Sequence, residues 1–184
     1  MHAFIDESFG NIGHERVYVV AAACIESRDL EFSRQALRDL NPSDSKLHWH
    51  RERPQARRAL LRAMADLPST YFTVTRISVD ERPERQRRLC LRTLISELKG
   101  SGLGRAVLES RGIAGDRRDR AALDWQARTG PSPISIHHSL GIDEPLLWSA
   151  DFVCGATWAQ FNGNDSYVSI LEKMNITNLE ASGD

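Results

Sequence analysis

Residues 1–26 hold two strand-like runs back to back, MHAFIDES and RVYVVAAACIE, with only a Gly-Asn loop between them. β-Branched and aromatic residues favour strands, and Gly10, Asn11 and Gly13 mark a turn, so the chain opens on a hairpin. The sheet therefore begins antiparallel, and the rest of the chain must be arranged around that pair. RDLEFSRQALRDL (28–40) spaces Leu30, Ser33, Leu37 and Leu40 as a helix. A polar loop over 41–54 leads to a second helix, with Ala59, Leu60, Ala63, Met64 and Leu67 on one face. TYFTVTRISV (70–79) alternates as a third strand. Asp80 is expected to cap the next helix, which carries Pro83 in its first turn, reaches about Lys99 and stops at GSGLG. RAVLES (105–110) reads as strand four, DRRDRAALDWQAR as a helix, SPISIHHS (132–139) as strand five, and 144–161 as a long buried helix.

This order implies an α/β fold, a five-stranded mixed sheet flanked by helices. Strands one to three should be antiparallel, with four and five parallel to a central strand one. One domain over 1–184 is expected, with a helical insertion at 28–66 and a polar, peripheral tail at 165–184. The hydrophobic share of 41% and charged share of 27% are those of a globular protein in water. The longest apolar run, VYVVAAACI, is too short to span a bilayer, and the first residues lack the basic and apolar regions of a signal peptide. No membrane association is expected. Cys24, Cys90 and Cys154 are odd in number and lie in apolar contexts, as reduced core thiols of a cytoplasmic protein do.

Charge is unevenly spread. Residues 1–50 carry a net −3, residues 51–128 a net +8 and residues 129–184 a net −6, and 21 of the 24 basic residues are Arg. A guanidinium fork suits phosphate, so the middle of the chain is compatible with nucleic acid; a codon bias toward Arg would produce the same count.

Four acids stand where apolar residues are expected. Asp6 and Glu7 end strand one in FIDESFG, Glu109 ends strand four, and Asp151 lies among Leu146, Leu147, Ala150, Val153, Cys154 and Trp158 in the last helix. Buried carboxylates are paired or bind a metal. For Asp151 the alternative is an ion pair with one of the many arginines. Gathered at one sheet edge, such acids repel unless cations separate them, which calls for Mg²⁺ or Mn²⁺. Two ions on the order of 3.5–4 Å apart could clamp the two oxygens of a phosphoryl displacement. On this reading Asp6, Glu109 and Asp151 are metal ligands, and together with Glu7 they form the catalytic group.

Asp6-Glu7-Ser8 after a first strand, and Ala150-Asp151 with Gly155 spaced behind it in a late helix, resemble domain-of-unknown-function family 3800. That family is regarded as ribonuclease-H-like and as nucleases; its last motif often follows a serine such as Ser139. The resemblance spans nearly the whole chain in element order but rests on these two short motifs. Phe9 intervenes before Gly10, Trp148 replaces a usual glutamine, and Glu109 stands where Asp is frequent. It implies a metal-dependent nuclease acting on DNA or RNA. The alternative is a non-catalytic module binding nucleic acid or protein on the same fold.

LHWH places His48 and His50 on one side of an extended segment, and with His137 and His138 they make four imidazoles that could bind zinc. One of His48 and His50 beside the acids, moving a proton or touching phosphate, is the other reading. Ser8 and Ser139 lack a nucleophile-elbow motif. Glu97, late in its helix, is expected at the surface. In DRRDR, Asp116 and Asp119 can cap and pair with neighbouring arginines. Were that loop to border the site, Arg111, Arg117 and Arg118 would hold a phosphate backbone, with Ser8, His48 and His50 completing the substrate contacts.

Overall fold

A computed structural model describes residues 1–41, 43, 45–129 and 133–183. Ser132, expected to begin strand five, Pro42 and Asp44 of the polar loop, and Asp184 of the tail lie outside them. The strands are β1 (His2–Ile12), β2 (Glu15–Ile25), β3 (Ser69–Ser78), β4 (Arg105–Glu109), β5 (Ser135–Ser139) and β6 (Ile176–Glu180). The helices are α1 (Leu30–Leu40), α2 (Pro54–Ala65), α3 (Pro83–Lys99), α4 (Ile113–Arg128), α5 (Leu146–Phe161) and the single turn α6 (Val168–Leu171).

The strands form one sheet in the order β5-β4-β1-β2-β3-β6. β1, β2 and β3 are antiparallel, and β4 and β5 run parallel to β1, which lies inside the sheet. The sheet expected with five strands has six. β6 pairs in parallel with β3, and its ITNLE is too short and too polar to announce a strand. The segment before it also contributes to the core, through the buried Tyr167, Ile170 and Met174.

β1 is longer than the sequence indicates. The expected loop residues Gly10 and Asn11 are paired with Val17 and Arg16, and the turn narrows to Gly13 and His14, with Gly13 at φ +59°. Pairing outweighs the local turn preference because each added pair extends the hydrogen-bonded ladder, and Phe9 stacks on Tyr18 across it. α3 begins at Pro83 with Arg82 in the capping position, so Asp80 does not cap it.

Helices cover both faces. α1, α2 and α5 pack on the face that presents Phe4, Val17, Val19 and Ala21, and α3 and α4 pack on the face of Ile5, Tyr18, Val20 and Leu108. β2 is buried on both sides from Val17 to Ile25, which is why VYVVAAACI is continuous and not alternating. All three cysteines are free and buried. Among the described residues no helix is long and apolar enough to cross a membrane.

Candidate active site

Side chains alternate across a strand, so Asp6 joins Phe4 on the α5 face while Glu7 joins Ile5 on the α3–α4 face. Asp6 is only 7% exposed, because α5 lies across β1 there and Cys154 donates its thiol to the Asp6 carbonyl at 3.1 Å. α5 is apolar almost all round, the pattern of a helix enclosed by its neighbours. Asp151 lies one turn before Cys154 and is 2% exposed.

Asp151 is held by the LHWH segment. Its Oδ2 accepts the Trp49 backbone N–H at 2.8 Å and lies 2.9 Å from His48 Nδ1. Trp49 anchors that segment by packing edge-on against Phe152 and Tyr167, with the Arg57 guanidinium over its ring at 4.5 Å. Gly155 makes this possible. A Cβ there would approach the Trp49 ring to 2.3 Å, so the glycine one turn after Asp151 is the seat of the indole that delivers the amide. Gly10 has the matching role on β1, where a Cβ would meet the Trp158 ring at 2.4 Å. The two motif glycines are thus both places where a tryptophan crosses between the strand, the loop and α5.

Glu109 closes the group from the end of β4. Both its oxygens lie 2.5 Å from Lys46 Nζ, and Asp6 Oδ2 is 3.9 Å from the same ammonium. Burial pushes the Asp6 carboxyl well above its ordinary range, reinforced by a hydrogen bond with Glu109 and by the charges of Glu109, Asp151 and Glu7. For Lys46, burial opposes the charge, but Asp6, Glu109 and Asp151 outweigh it and raise the ammonium. Lys46 is nearer to Glu109 than to Asp6, which leaves Asp6 the less compensated acid. Three carboxylates from β1, β4 and α5 therefore share one edge, with a lysine ammonium between two of them.

The donor chemistry fits a hard divalent cation, since carboxylate oxygens are what Mg²⁺ and Mn²⁺ prefer. Among the described residues, however, no set of three His, Cys, Asp or Glu is arranged as a metal cage. The physical reason is visible: Lys46 holds both oxygens of Glu109, and one oxygen of Asp151 serves His48 and Trp49. Neither Lys46 nor Trp49 is singled out by sequence reasoning. The available signal was that Lys46 is one of three lysines against 21 arginines.

Glu7 is not brought to Asp6. It binds Arg87, which is 1% exposed and also forms a two-pronged pair with Asp119 at 3.0 and 2.8 Å. Arg111 joins the same network through Asp119 at 3.0 Å and Glu84 at 2.5 Å. Expected as a phosphate ligand, Arg111 is committed to these acids. Burial would raise the Asp119 carboxyl, but the nearby His138 ring and the two-pronged Arg87 pair outweigh it and hold the group below the usual carboxylate range. Asp116 caps its loop, accepting from Ser110 Oγ and the Arg111 amide.

The remaining candidates divide. Ser8 is buried on the Asp6 face, His48 lies beside Asp151, and His50 meets His48 edge-on at 5.6 Å. Arg117 and Arg118 are exposed, with Arg118 3.7 Å from Glu84. The four imidazoles do not converge, since His138 points to Asp119 on the far face. Glu97 is exposed, and Trp148 donates to the Gly141 carbonyl at 2.6 Å.

No family model matches the chain, and no curated protein matches it in sequence. A solved structure of the PCNA:RNase HII complex from Archaeoglobus fulgidus is similar to 92% of this chain, covering 77% of its counterpart, at TM-score 0.54 and 17% identity. The fold is ribonuclease-H-like. In these terms Asp6 lies midway along the interior strand β1, just past its parallel pairing with β4, Glu109 ends β4, and α5 brings the third acid across one face.

Proposed function

We propose that the chain is a metal-dependent nuclease that hydrolyses phosphodiester bonds of DNA or RNA, as the resemblance to domain-of-unknown-function family 3800 implies. The observation that supports this reading is that Asp6 and Glu109 share a bound cation, the Lys46 ammonium, within the electrostatic reach of the buried Asp151. A buried acid cluster that recruits a lysine needs positive charge at that point. Asp6, Glu109 and Asp151 would hold Mg²⁺ or Mn²⁺, with Lys46 withdrawing from Glu109. A bound divalent ion would activate water and neutralise charge on the phosphate oxygens. His48 orients Asp151 and, being part-exposed, can exchange a proton with solvent. The ribonuclease-H-like fold and the neighbouring RNase HII support the reaction class, and the reduced cysteines fit a cytoplasmic setting.

The second reading is a non-catalytic binding module on the same fold. What favours it is Lys46 itself, which already neutralises Glu109 and could serve in place of a metal. Labelled single- and double-stranded DNA and RNA incubated with Mn²⁺ or Mg²⁺ separate the two. The nuclease reading expects cleavage that chelation stops and Asp6→Asn abolishes, because an amide is a poor ligand for a hard cation. Cleavage that survives Asp6→Asn, or no cleavage of any of these substrates, would overturn it.

A further inference from the structure

We infer that the cleft between α3 and α4, on the sheet face opposite the carboxylates, is a second binding site, and that its occupant is the phosphate backbone of a nucleic acid. The cleft has a volume of about 490 Å³. Arg82, Arg85 and Arg88 line it from the start of α3 and Arg118 from α4, together with two acids, Glu84 and Asp119, that are engaged by Arg111, Arg118 and Arg87, over a floor that includes Leu91 and Ala122. Arg85 and Arg88 are three residues apart on one side of the helix and repel one another, and Arg82 stands just ahead of them in the capping position. They also crowd its N-terminal end, where the helix dipole disfavours cations. The arrangement costs stability in the absence of an anion, and an anion relieves both penalties.

Two of these four charges are partnered within the molecule, Arg85 by Glu81 and Arg118 by Glu84 at 3.7 Å, and two are not. Beneath the cleft, Arg87 and Arg111 are neutralised by Glu7, Asp119 and Glu84. Arg85 shares Glu81 with Arg76. Arg82 and Arg88 are exposed and have no carboxylate partner among the described residues. Guanidinium groups presented in a row along an open cleft match successive phosphates of a chain better than one small anion. Arg87 lines the cleft and binds Glu7, which stands on this same face of β1. The choice of nucleic acid as occupant rests on the nuclease reading, whereas the phosphate chemistry rests on the arginines alone.

The test uses the full chain carrying Asp6→Asn, with chelator present so that nothing is cut. Fluorescence anisotropy measures its affinity for a labelled single-stranded DNA and an RNA of the same sequence across a salt series. Adding Arg82→Ala and Arg88→Ala should weaken binding about tenfold or more. It should also reduce the slope of log K against log salt by about 1.4, for two lost phosphate contacts on a single strand. Arg82→Lys with Arg88→Lys should restore most of the slope, which shows that the alanine protein lost contacts and not its fold. Unchanged affinity and slope in the alanine protein would overturn the inference. Inorganic tripolyphosphate is the second probe, read by thermal shift. If it stabilises the protein through Arg82 and Arg88 while neither oligonucleotide binds, a small polyphosphate is the occupant and the nucleic-acid assignment falls. If wild type cuts nothing with Mn²⁺ but oligonucleotide binding depends on Arg82 and Arg88, the cleft stands and the nuclease reading fails separately.

Discussion

Lys46→Met removes the positive charge that the structure places between Asp6 and Glu109, while keeping most of the side-chain stem. The lysine and Glu109 side chains are each 19% exposed and that of Asp6 is 10% exposed, so the group is mostly, not wholly, withdrawn from water. Deleting one partner of a fully buried pair costs about 3–5 kcal/mol, and the residual solvent access here reduces that to roughly 2–3 kcal/mol. For a chain of 184 residues each kcal/mol moves Tm by about 2–4 °C, so metal-free Lys46→Met should melt about 5–10 °C below wild type. Mn²⁺ should then reverse the order of effects. In wild type the ion must displace the ammonium from Glu109, whereas in the variant it meets uncompensated carboxylates. The stabilisation should grow as RT ln(1 + [Mn²⁺]/Kd), and the Mn²⁺ concentration needed for a given stabilisation should be about tenfold lower in the variant. Melting curves with and without chelator, across a Mn²⁺ series, measure both quantities. A metal-free Tm equal to wild type, or identical Mn²⁺ dependence in the two proteins, would refute the claim that Lys46 is the counter-ion of this cluster.

Two further outcomes are expected. Gly155→Ala should drive a methyl into the Trp49 ring and displace the segment that holds Asp151, at a cost of about 1–3 kcal/mol; a chemical-denaturation midpoint unchanged from wild type would show that the glycine is not the seat of the indole. The raised Asp6 carboxyl sets a pH dependence. The folded state keeps this proton above the unfolded value of ~3.9, so the contribution is complete below that pH and is lost as pH rises through the folded value. Metal-free Asp6→Asn should lack this decline, and parallel Tm–pH curves for the variant and wild type would contradict it.

The parts of the fold that were legible in the sequence are those governed by local periodicity. The hairpin, the alternating order and the buried last helix follow from VYVVAAACI, TYFTVTRISV and LLWSADFVCGATW, where pattern and environment agree. β6 was not legible, because ITNLE becomes a strand only through pairing with β3. At the site, Asp6, Glu109 and Asp151 could be named because an acid in an apolar run is conspicuous. Glu7 stands in the same run, yet the two-residue period of a strand sends it to the opposite face, to Arg87. Lys46 and Trp49 were hidden in a polar loop whose path depends on Gly155, 106 positions after Trp49, a tertiary dependence that no local window contains.

If Asp6, Glu109 and Asp151 form a cation site from which Lys46 can be displaced, anomalous diffraction from crystals soaked in Mn²⁺ will show it. The expected result is an anomalous peak coordinated by these three carboxylates, with Lys46 Nζ moved away from Glu109. No peak there, with Lys46 still bound to both Glu109 oxygens at saturating Mn²⁺, would contradict the proposed site.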